Sequence, residues 1–333
     1  MVCFLDLISL YYFNELSKDL NVTKTAARLF LSQQTLSNHI LRMETEINSK
    51  LFYRKPKLLL TDAGREMLVF AKNVLADKNL FENHLADIEK EHWGLIRFGA
   101  SHLCSRSCLP IVLPKFAKEY PQVSISLTDM TSARLQQLIL DGELDMALSV
   151  VAEKSSVLVS DLIMEDQVYL CIADNLLTKY YGKEAAALKK KSLNGAYVAD
   201  FQKLPFSVVA PPNILGVAIS KCFEDAGFSP HVYFSATTTG ITSSICSNGL
   251  SACFLSQLSI ANSPDALTKD VNIFPLMCEG EFIYHKRYFV HHAKHYMTQY
   301  MLRFQELITT YFKSVSEANL ARLAQRKKEK IRL

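Results

Sequence analysis

The chain lacks most of the motifs that mark an enzyme, a secreted protein or a membrane protein. Its 333 residues contain no Gly-x-Ser-x-Gly elbow for a nucleophile, no Gly-rich phosphate-binding loop and no His-Glu-x-x-His pair of zinc ligands. No apolar run reaches the roughly 18 residues of a membrane span. The apolar N-terminus lacks the basic segment and cleavage site of a signal peptide. These absences predict a cytoplasmic protein with no catalytic residues, no cofactor and no membrane partner.

The cysteines and histidines are also poorly arranged for metal or redox chemistry. The eight cysteines include no Cys-x-x-Cys pair, and the two closest, Cys104 and Cys108, are four residues apart. Such cysteines are typical of small buried side chains in a reducing compartment. Near the C-terminus, His291 and His292 end a predicted strand with side chains on opposite faces. We therefore predict no metal site from the cluster that they form with His285 and His295.

The net charge of the whole chain does not indicate a binding partner, but the charge of one segment does. The net charge is +4, and 49% hydrophobic residues suffice for buried cores in the two or three domains that the length predicts. Between Lys24 and Lys57, however, seven basic residues stand against two acidic residues. This local excess is typical of a surface that meets an anionic polymer.

The first sixty residues have the pattern of a small helical domain with a basic hairpin. Apolar spacing predicts a helix over residues 4–16, a second over 21–29 and a third over 33–47, which Ser32 caps. The outer faces of the third helix carry short polar side chains of the kind that read base edges. A solvated face would be the simpler interpretation, but such a face normally carries Glu and Lys, which are absent from residues 33–41. Pro56 then separates two short apolar runs, and the basic turn between them is suited to contact phosphate.

This pattern predicts a winged helix-turn-helix that binds double-stranded DNA. The candidate DNA-binding residues are Lys24, Ser32, Gln33, Gln34, Thr35, Ser37, Asn38, His39, Arg42, Arg54, Lys55 and Lys57.

Anchors at fixed spacing in this segment resemble the amino-terminal signature of LysR-type transcriptional regulators. The sequence departs from the signature at Gln34 and Thr35, where the family commonly has proline or another small residue followed by alanine, and at Asn48, where glycine is usual. The resemblance implies a transcription regulator. The matching anchors are Ala26, Leu29, Ser32, Gln33, Leu36, Ser37, Ile40, Met43, Glu44, Leu51, Phe52, Arg54, Leu60, Thr61, Ala63 and Gly64.

A long helix follows, from Thr61 to about Glu91. Four apolar residues recur every seventh position, as in one seam of a coiled coil. Packing on the chain's own domain would also explain them, but the resemblance implies a dimerisation helix. The predicted partner is then a second copy, in a homodimer or in a homotetramer built from it. The four dimerisation residues are Met67, Val74, Phe81 and Ile88.

Beyond residue 92, strands alternate with helices, which predicts an α/β architecture. Residues 94–99, 116–121 and 141–145 resemble the start of the LysR effector-binding domain, which implies two α/β lobes linked by two crossovers, like a periplasmic binding protein. The predicted fold class is therefore a multidomain α+β and α/β protein. Its parts are the winged domain (1–60), the linker helix (61–91), the effector domain (92–315) and a basic tail (316–333). Lobe I takes about 92–167 and 273–315, and lobe II about 168–272. The tail is either a frayed helix end or an auxiliary phosphate contact.

A small-molecule effector is expected between the lobes. In open parallel sheets, ligands bind beyond the carboxyl ends of strands, where helix N-termini present free amides. Several predicted strand ends carry hydroxyl groups, although each of these could equally be a plain helix cap. The candidate effector-binding residues are Ser101, His102, Thr131, Ser132, Ser149, Phe201, Thr238 and Thr239.

Two other functions are open to a chain of this pattern. A solute-binding protein with a fused helical domain would bind a ligand but not DNA, and the missing signal peptide argues against it. An enzyme on the two-lobed scaffold would need an acid–base or nucleophile constellation, and none is visible in the sequence.

Overall fold

Three helices and a two-stranded hairpin form the N-terminal part of the computed structural model, which describes residues 5–88, 93–152, 156–211, 213–237, 240–262 and 267–331. The helices are α1 (Leu7–Asp19), α2 (Val22–Arg28) and α3 (Gln33–Glu46), and strands β1 (Phe52–Tyr53) and β2 (Leu59–Leu60) pair in antiparallel fashion. Asp6, Asn21 and Ser32 each cap a helix by accepting a hydrogen bond from a backbone amide. This arrangement confirms the predicted winged helix-turn-helix, whose core includes Phe13, Leu36, Ile40 and Phe52.

Helix α4 (Asp62–Ile88) leaves the winged domain directly. The Thr61 hydroxyl accepts from the Gly64 amide at 2.9 Å and donates to the Lys50 carbonyl at 2.6 Å, so it joins the helix start to the domain. A Cβ at position 64 would lie 2.1 Å from the Leu51 carbonyl oxygen, which explains the glycine there.

The predicted seam along α4 divides into two parts. Met67 and Val74 are half-buried against the core of their own winged domain, whereas Phe81 is 62% exposed. The side chain of Ile88 lies outside the described residues. Val69 and Phe70 are also exposed, so the helix carries an uncovered apolar surface beside the covered one.

Lobe I begins with strand β3 (Trp93–Ala100), followed by α5 (His102–Glu119), β4 (Gln122–Asp129), α6 (Ser132–Leu140) and β5 (Met146–Ser149). Strand β3 lies between β4 and β5 and runs parallel to both. The next strand, β6 (Leu158–Ala173), is 16 residues long and leads into lobe II.

Lobe II continues with α7 (Asp174–Tyr181), α8 (Ala185–Ser192), β7 (Pro205–Val209), α9 (Ile214–Asp225), β8 (His231–Ala236), α10 (Thr242–Ser247), β9 (Ala252–Ser256), α11 (Gln257–Asn262) and β10 (Val271–Pro275). Strand β7 runs parallel to β8 and β9, and β6 is antiparallel to β9 and β10. A small hairpin of β11 (Met277–Cys278) and β12 (Glu281–Phe282) precedes β13 (Tyr284–His292), and α12 (Gln299–Ile331) ends the described chain.

One nine-stranded sheet runs through both lobes because β6 belongs to both. Residues 158–167 of β6 pair with β13, and residues 168–173 pair with β9 and β10. The chain returns to lobe I at β13, about ten residues later than position 273. Helix α12 also continues without a break into the predicted tail, where the side chains from 322 onward lie outside the described residues.

A buried ion pair lies beside the crossing between the lobes. Asp166 on β6 accepts two hydrogen bonds from the Arg287 guanidinium of β13, at 2.6 and 3.0 Å. Its other carboxylate oxygen accepts from the Leu258 amide, and Arg287 also donates to the Cys104 sulfur at 3.1 Å. Burial alone would lower the pKa of Arg287, but its contacts with the Cys104 sulfur and the Asp166 carboxylate outweigh burial and raise that pKa. The guanidinium therefore remains charged in the core.

Candidate nucleic-acid interface and effector site

The outer face of α3 presents most of the predicted base-reading side chains to solvent. Gln33, Gln34, Thr35 and Asn38 are exposed, and Ser37 is half-buried. The helix is held from behind by Leu36, Ile40 and Met43, which are buried in the winged domain. Ser32 is exposed, but its hydroxyl already has a partner. It caps the helix by accepting a hydrogen bond from the Thr35 backbone amide at 3.0 Å.

His39 is less available than its neighbours on α3. Its Nδ1 lies 2.8 Å from the Ser9 hydroxyl, which also donates to Asp6. The ring meets Tyr12 edge-on with centroids 4.9 Å apart. His39 thus links the third helix to the first, a role that the polar pattern of α3 does not reveal.

Two of the predicted DNA-binding residues, Lys24 and Arg42, form ion pairs within the domain. The Lys24 ammonium lies 2.8 Å from Asp19, and the Arg42 guanidinium lies 3.0 Å from Glu46 one turn along α3. The basic side chains are 69% and 63% exposed, and ion pairs of exposed side chains contribute at most about 1 kcal/mol.

Glu44 fixes the position of the hairpin relative to α3. The buried Glu44 carboxylate accepts from the Leu51 and Phe52 amides at 2.9 and 3.3 Å, and from Lys50 and Arg54 at 3.0 and 3.4 Å. Burial alone would raise the pKa of Glu44, but these donors outweigh it and hold the pKa below its ordinary value. The carboxylate therefore stabilises the fold at neutral pH, and this contribution is lost as the pH falls through the lowered pKa. From the sequence alone, Glu44 is only one of the residues that carry the family resemblance.

Lys55 and Lys57 lie exposed at the hairpin tip between β1 and β2. Among the described residues, no ion pair involves either side chain. Both ammonium groups can therefore meet phosphate without giving up an internal partner.

Phe30 is a surface feature that the sequence pattern did not single out. It lies in the turn between α2 and α3, its side chain is 97% exposed, and its φ of 56° is in the left-handed region. The backbone holds this turn by hydrogen bonds from Phe30 to the Ala27 carbonyl and from Leu31 to the Ala26 carbonyl. A fully exposed aromatic ring on a strained residue is costly in a folded protein, and this one lies two residues before Ser32, the N-cap of α3.

Two hydroxyl groups of lobe I lie at neighbouring strand ends. Ser101 follows β3 and Thr131 follows β4, and these strands pair in parallel with Ala100 opposite Asp129. Neither hydroxyl makes a capping hydrogen bond to its helix, so the plain cap is not the role that the structure gives them. His102 is exposed beside them, with Nδ1 3.3 Å from the Asp129 carboxylate.

The other hydroxyls of lobe I are used within the lobe. Ser132 accepts from the Val150 amide at 3.0 Å. Ser149 is buried, donates to the Val151 carbonyl at 2.9 Å and accepts from the Gln136 amide at 3.2 Å. Gln136 was not among the predicted residues, although it lies one turn after Ser132 and joins α6 to the end of β5.

Of the lobe II candidates, the structure describes only Phe201. Phe201 is fully buried, stacks on Phe274 at 6.1 Å and meets Tyr181 edge-on. Its side chain fills the core of lobe II, which corrects its assignment as an effector contact. Thr238 and Thr239 lie outside the described residues.

The described part of the chain offers little for metal or thiol chemistry. Within it, no group of three or more His, Cys, Asp or Glu side chains is arranged to hold a metal ion. Burial lowers the pKa of His285 to about 3, and Cys104 and Cys108 are both buried. Burial also raises the pKa of Cys108 to about 12, so its thiol stays protonated. None of the described helices is long and apolar enough to cross a membrane.

The chain matches the models of two protein families over most of its length. Residues 7–65 match the bacterial regulatory helix-turn-helix protein, lysR family, and residues 89–313 match the LysR substrate binding domain. The chain belongs to the LysR family. The fold of both its domains, predicted from the resemblance, is thereby confirmed.

Curated LysR relatives match parts of the chain. CitR of Bacillus subtilis (strain 168) is 34% identical over 165 residues, which are 48% of this chain and 56% of that protein. IlvY of Haemophilus influenzae is 32% identical over 203 residues, or 61% of this chain and 66% of that protein. The chain thus matches between half and two thirds of the length of these relatives.

Solved LysR-family structures match nearly the whole chain in fold. A full-length OxyR variant from Pseudomonas aeruginosa superposes with a TM-score of 0.65 at 15% identity, covering 93% of this chain and 98% of that one. Full-length CbnR in complex with its target DNA gives a TM-score of 0.55 at 16% identity, covering 92% and 100%. At these identities the similarity describes the fold.

Proposed function

We propose that the protein is a sequence-specific DNA-binding transcription regulator whose activity is controlled by a small molecule bound between the two lobes. The observation that carries the proposal is the exposed polar face of α3. It bears Gln33, Gln34, Thr35 and Asn38, and the exposed Lys55 and Lys57 lie at the hairpin tip. Amide and hydroxyl side chains suit the edges of bases, and lysines at a wing suit phosphate.

The proposed DNA contacts fall into three classes. Gln33, Gln34, Thr35 and Asn38 read bases in the major groove. Lys55 and Lys57 contact phosphate directly. Lys24, Arg42 and Arg54 must first break their ion pairs with acidic side chains of the domain and then pair with phosphate. Ser32 and His39, whose side chains already have partners within the domain, orient the helix rather than read sequence. Ser37 is half-buried and contributes at the edge of the same face.

The proposed effector site uses the ends of β3 and β4. Ser101, His102 and Thr131 supply side chains, and the N-termini of α5 and α6 supply backbone amides. Such a site favours a small anion or a ligand rich in hydrogen-bond acceptors. Ser132 and Ser149 support this site through their internal hydrogen bonds. No catalytic step is proposed, because these groups bind and orient without offering a nucleophile paired with a base.

The proposed assembly is a homodimer, or a homotetramer built from it, in which α4 pairs two chains. The exposed residues Val69, Phe70 and Phe81 form the contact, and Met67 and Val74 support it from inside the winged domain. Two copies would place two α3 helices on two DNA half-sites. Because a transcription regulator must reach its DNA, we propose that the protein is located in the cytoplasm.

Selection of DNA from a random pool tests the proposal. The full chain, incubated with a random-sequence duplex library at about 0.15 M salt, is expected to enrich related sequences with a near-palindromic pattern. Enrichment of unrelated sequences, or no retention of DNA, would contradict the proposal and favour the alternative of a small-molecule-binding protein. A thermal-shift screen with small metabolites then identifies the effector, because a ligand raises the melting temperature by mass action.

Phe30 yields a separate prediction, because its exposed ring lies in the turn that leads into α3. We expect Phe30→Asn to raise the free energy of unfolding by up to about 1 kcal/mol, since asparagine tolerates the left-handed region better. The same change should weaken binding to the selected DNA about ten-fold, because the ring would otherwise contact deoxyribose or a thymine methyl group. Urea denaturation and fluorescence anisotropy measure the two effects.

Tyr233 on β8 provides the matched control for the loss of an exposed aromatic ring. It is 52% exposed and lies in lobe II, away from α3. Tyr233→Asn should leave DNA affinity unchanged. If Phe30→Asn stabilises the fold and also leaves the affinity unchanged, the ring makes no contact with DNA.

A further inference from the structure

The loop after α6 touches the winged domain and the linker helix of the same chain. The Lys72 ammonium of α4 lies 2.7 Å from Asp141, with side chains only 26% and 19% exposed. The Lys18 ammonium of α1 lies 3.1 Å from Glu143, with side chains 34% and 28% exposed. These two partly desolvated ion pairs connect lobe I to α1 of the winged domain and to the linker helix α4.

Backbone packing accompanies the two ion pairs. Gly142, between the two acidic residues, has a φ of 70°, and a Cβ built there would lie 3.5 Å from the Ala76 Cβ of α4. Only one side-chain carbon would therefore fit between Gly142 and Ala76 of the linker helix, and the two residues on either side of Gly142 in the sequence form the ion pairs.

The loop is rigidly joined to α6. The Glu143 amide donates to the Leu138 carbonyl at 2.8 Å and the Gly142 amide to the Ile139 carbonyl at 3.0 Å, which is the Schellman pattern at a helix end. The Arg97 guanidinium of β3 also holds the loop, because it donates hydrogen bonds of 2.8 Å to the Gly142 carbonyl and 2.6 Å to the Asp145 carboxylate. A displacement of α6 must therefore move the loop with it.

The opposite end of α6 lies in the proposed effector site. Thr131 is its N-cap, and Ser132 in its first turn accepts from the Val150 amide. The helix has nine residues, so its two ends are about 13 Å apart. One short, well-packed helix thus begins where an effector would bind and ends where lobe I contacts the DNA-binding part.

We propose that α6 with its loop, residues 131–145, couples the effector site to the winged domain of the same chain. The inference rests on the proposed function and adds its route of regulation. An effector that pulls on the N-terminus of α6 changes the contacts of Asp141 and Glu143 with Lys72 and Lys18. These contacts set the orientation of α1 and α4, and hence of α3, relative to lobe I. Because coupling is reciprocal, DNA binding changes the effector affinity by the same factor.

A mutant cycle tests the route without knowledge of the effector. Thr131 is exposed and makes no capping bond, so Thr131→Trp places a ring in the cleft as a stand-in for a ligand. Its effect on the Kd for the selected duplex is measured in three backgrounds, namely wild type, Asp141→Asn with Glu143→Gln, and the control Glu119→Gln. The control removes another lobe I ion pair, that of Glu119 with Arg303 at 2.8 Å, whose side chains are 42% and 33% exposed and form no part of the contact with the winged domain.

The expected result is a change in Kd of about five-fold or more in the wild-type and control backgrounds, and less than about two-fold in the double variant. An equal change in all three backgrounds, or no change in any, would overturn the coupling while leaving the DNA-binding proposal intact. If the wild type selects no DNA at all, the proposed function fails first. Thr131→Phe replaces Thr131→Trp should the larger ring abolish the melting transition.

Discussion

Replacing Asp166 by asparagine is expected to lower the free energy of unfolding by about 3 kcal/mol or more. Asparagine keeps the size of the side chain but removes its charge, so the Arg287 guanidinium, only 2% exposed, loses its charged partner. Because a buried cation cannot be hydrated, most of the loss comes from the unpaired arginine rather than from the missing contact. Urea denaturation of the full chain, followed by circular dichroism, measures the difference.

The neighbouring residue supplies the control for this prediction. Glu165 pairs with Lys286 at 3.3 Å on the same two strands, but the two side chains are 52% and 47% exposed. Glu165→Gln should therefore cost less than about 1 kcal/mol. Replacing both Asp166 and Arg287 by apolar residues of similar size should recover much of the stability, whereas equal small losses for Asp166→Asn and Glu165→Gln would show that burial does not govern this pair.

Substitutions on α3 and on the hairpin should weaken DNA binding in different ways. Gln34→Ala and Asn38→Ala are each expected to weaken binding to the selected duplex by about 5- to 150-fold, the equivalent of about 1–3 kcal/mol for a bidentate base contact. Binding to random DNA should change little. Lys55→Ala should weaken both DNAs alike and reduce the slope of log K against log salt by about 0.9, because one phosphate contact is lost.

Anisotropy titrations on both duplexes at several salt concentrations separate these effects. Lys190 on α8, in lobe II and outside the proposed interface, provides a charge control, since Lys190→Ala should leave the salt slope unchanged. Equal losses on selected and random DNA for Gln34→Ala, Asn38→Ala and Lys55→Ala would remove the assignment of α3 as the reader.

Local signals predicted the N-terminal part of the fold well. Caps such as Ser32 and Thr61, and the apolar spacing of α3, depend on neighbours within one or two helical turns. The strand β6 was harder, because Glu165 and Asp166 interrupt its apolar pattern. One of these acids is exposed and the other is neutralised by an arginine 121 residues away, which no local pattern can indicate.

The same reasoning applies to the candidate sites. The exposure of polar side chains on α3 follows from helical periodicity, so the sequence predicts which of them face solvent. The internal roles of Glu44 and His39 depend on contacts with the hairpin and with α1, and the burial of Phe201 depends on Phe274, which is distant in the sequence. The exposure of Phe30 could not be predicted from its residue type, because its left-handed backbone turns the ring outward.

The unbroken course of β6 through both lobes restricts how the lobes can move relative to each other. Residues 158–167 of the strand are held by β13 and residues 168–173 by β9 and β10, so the pairing passes from one lobe to the other after Gln167. A change in the angle between the lobes must therefore bend or twist the backbone of β6 at that point. The strand that joins the two halves of the sheet is thus also the place where we expect a hinge.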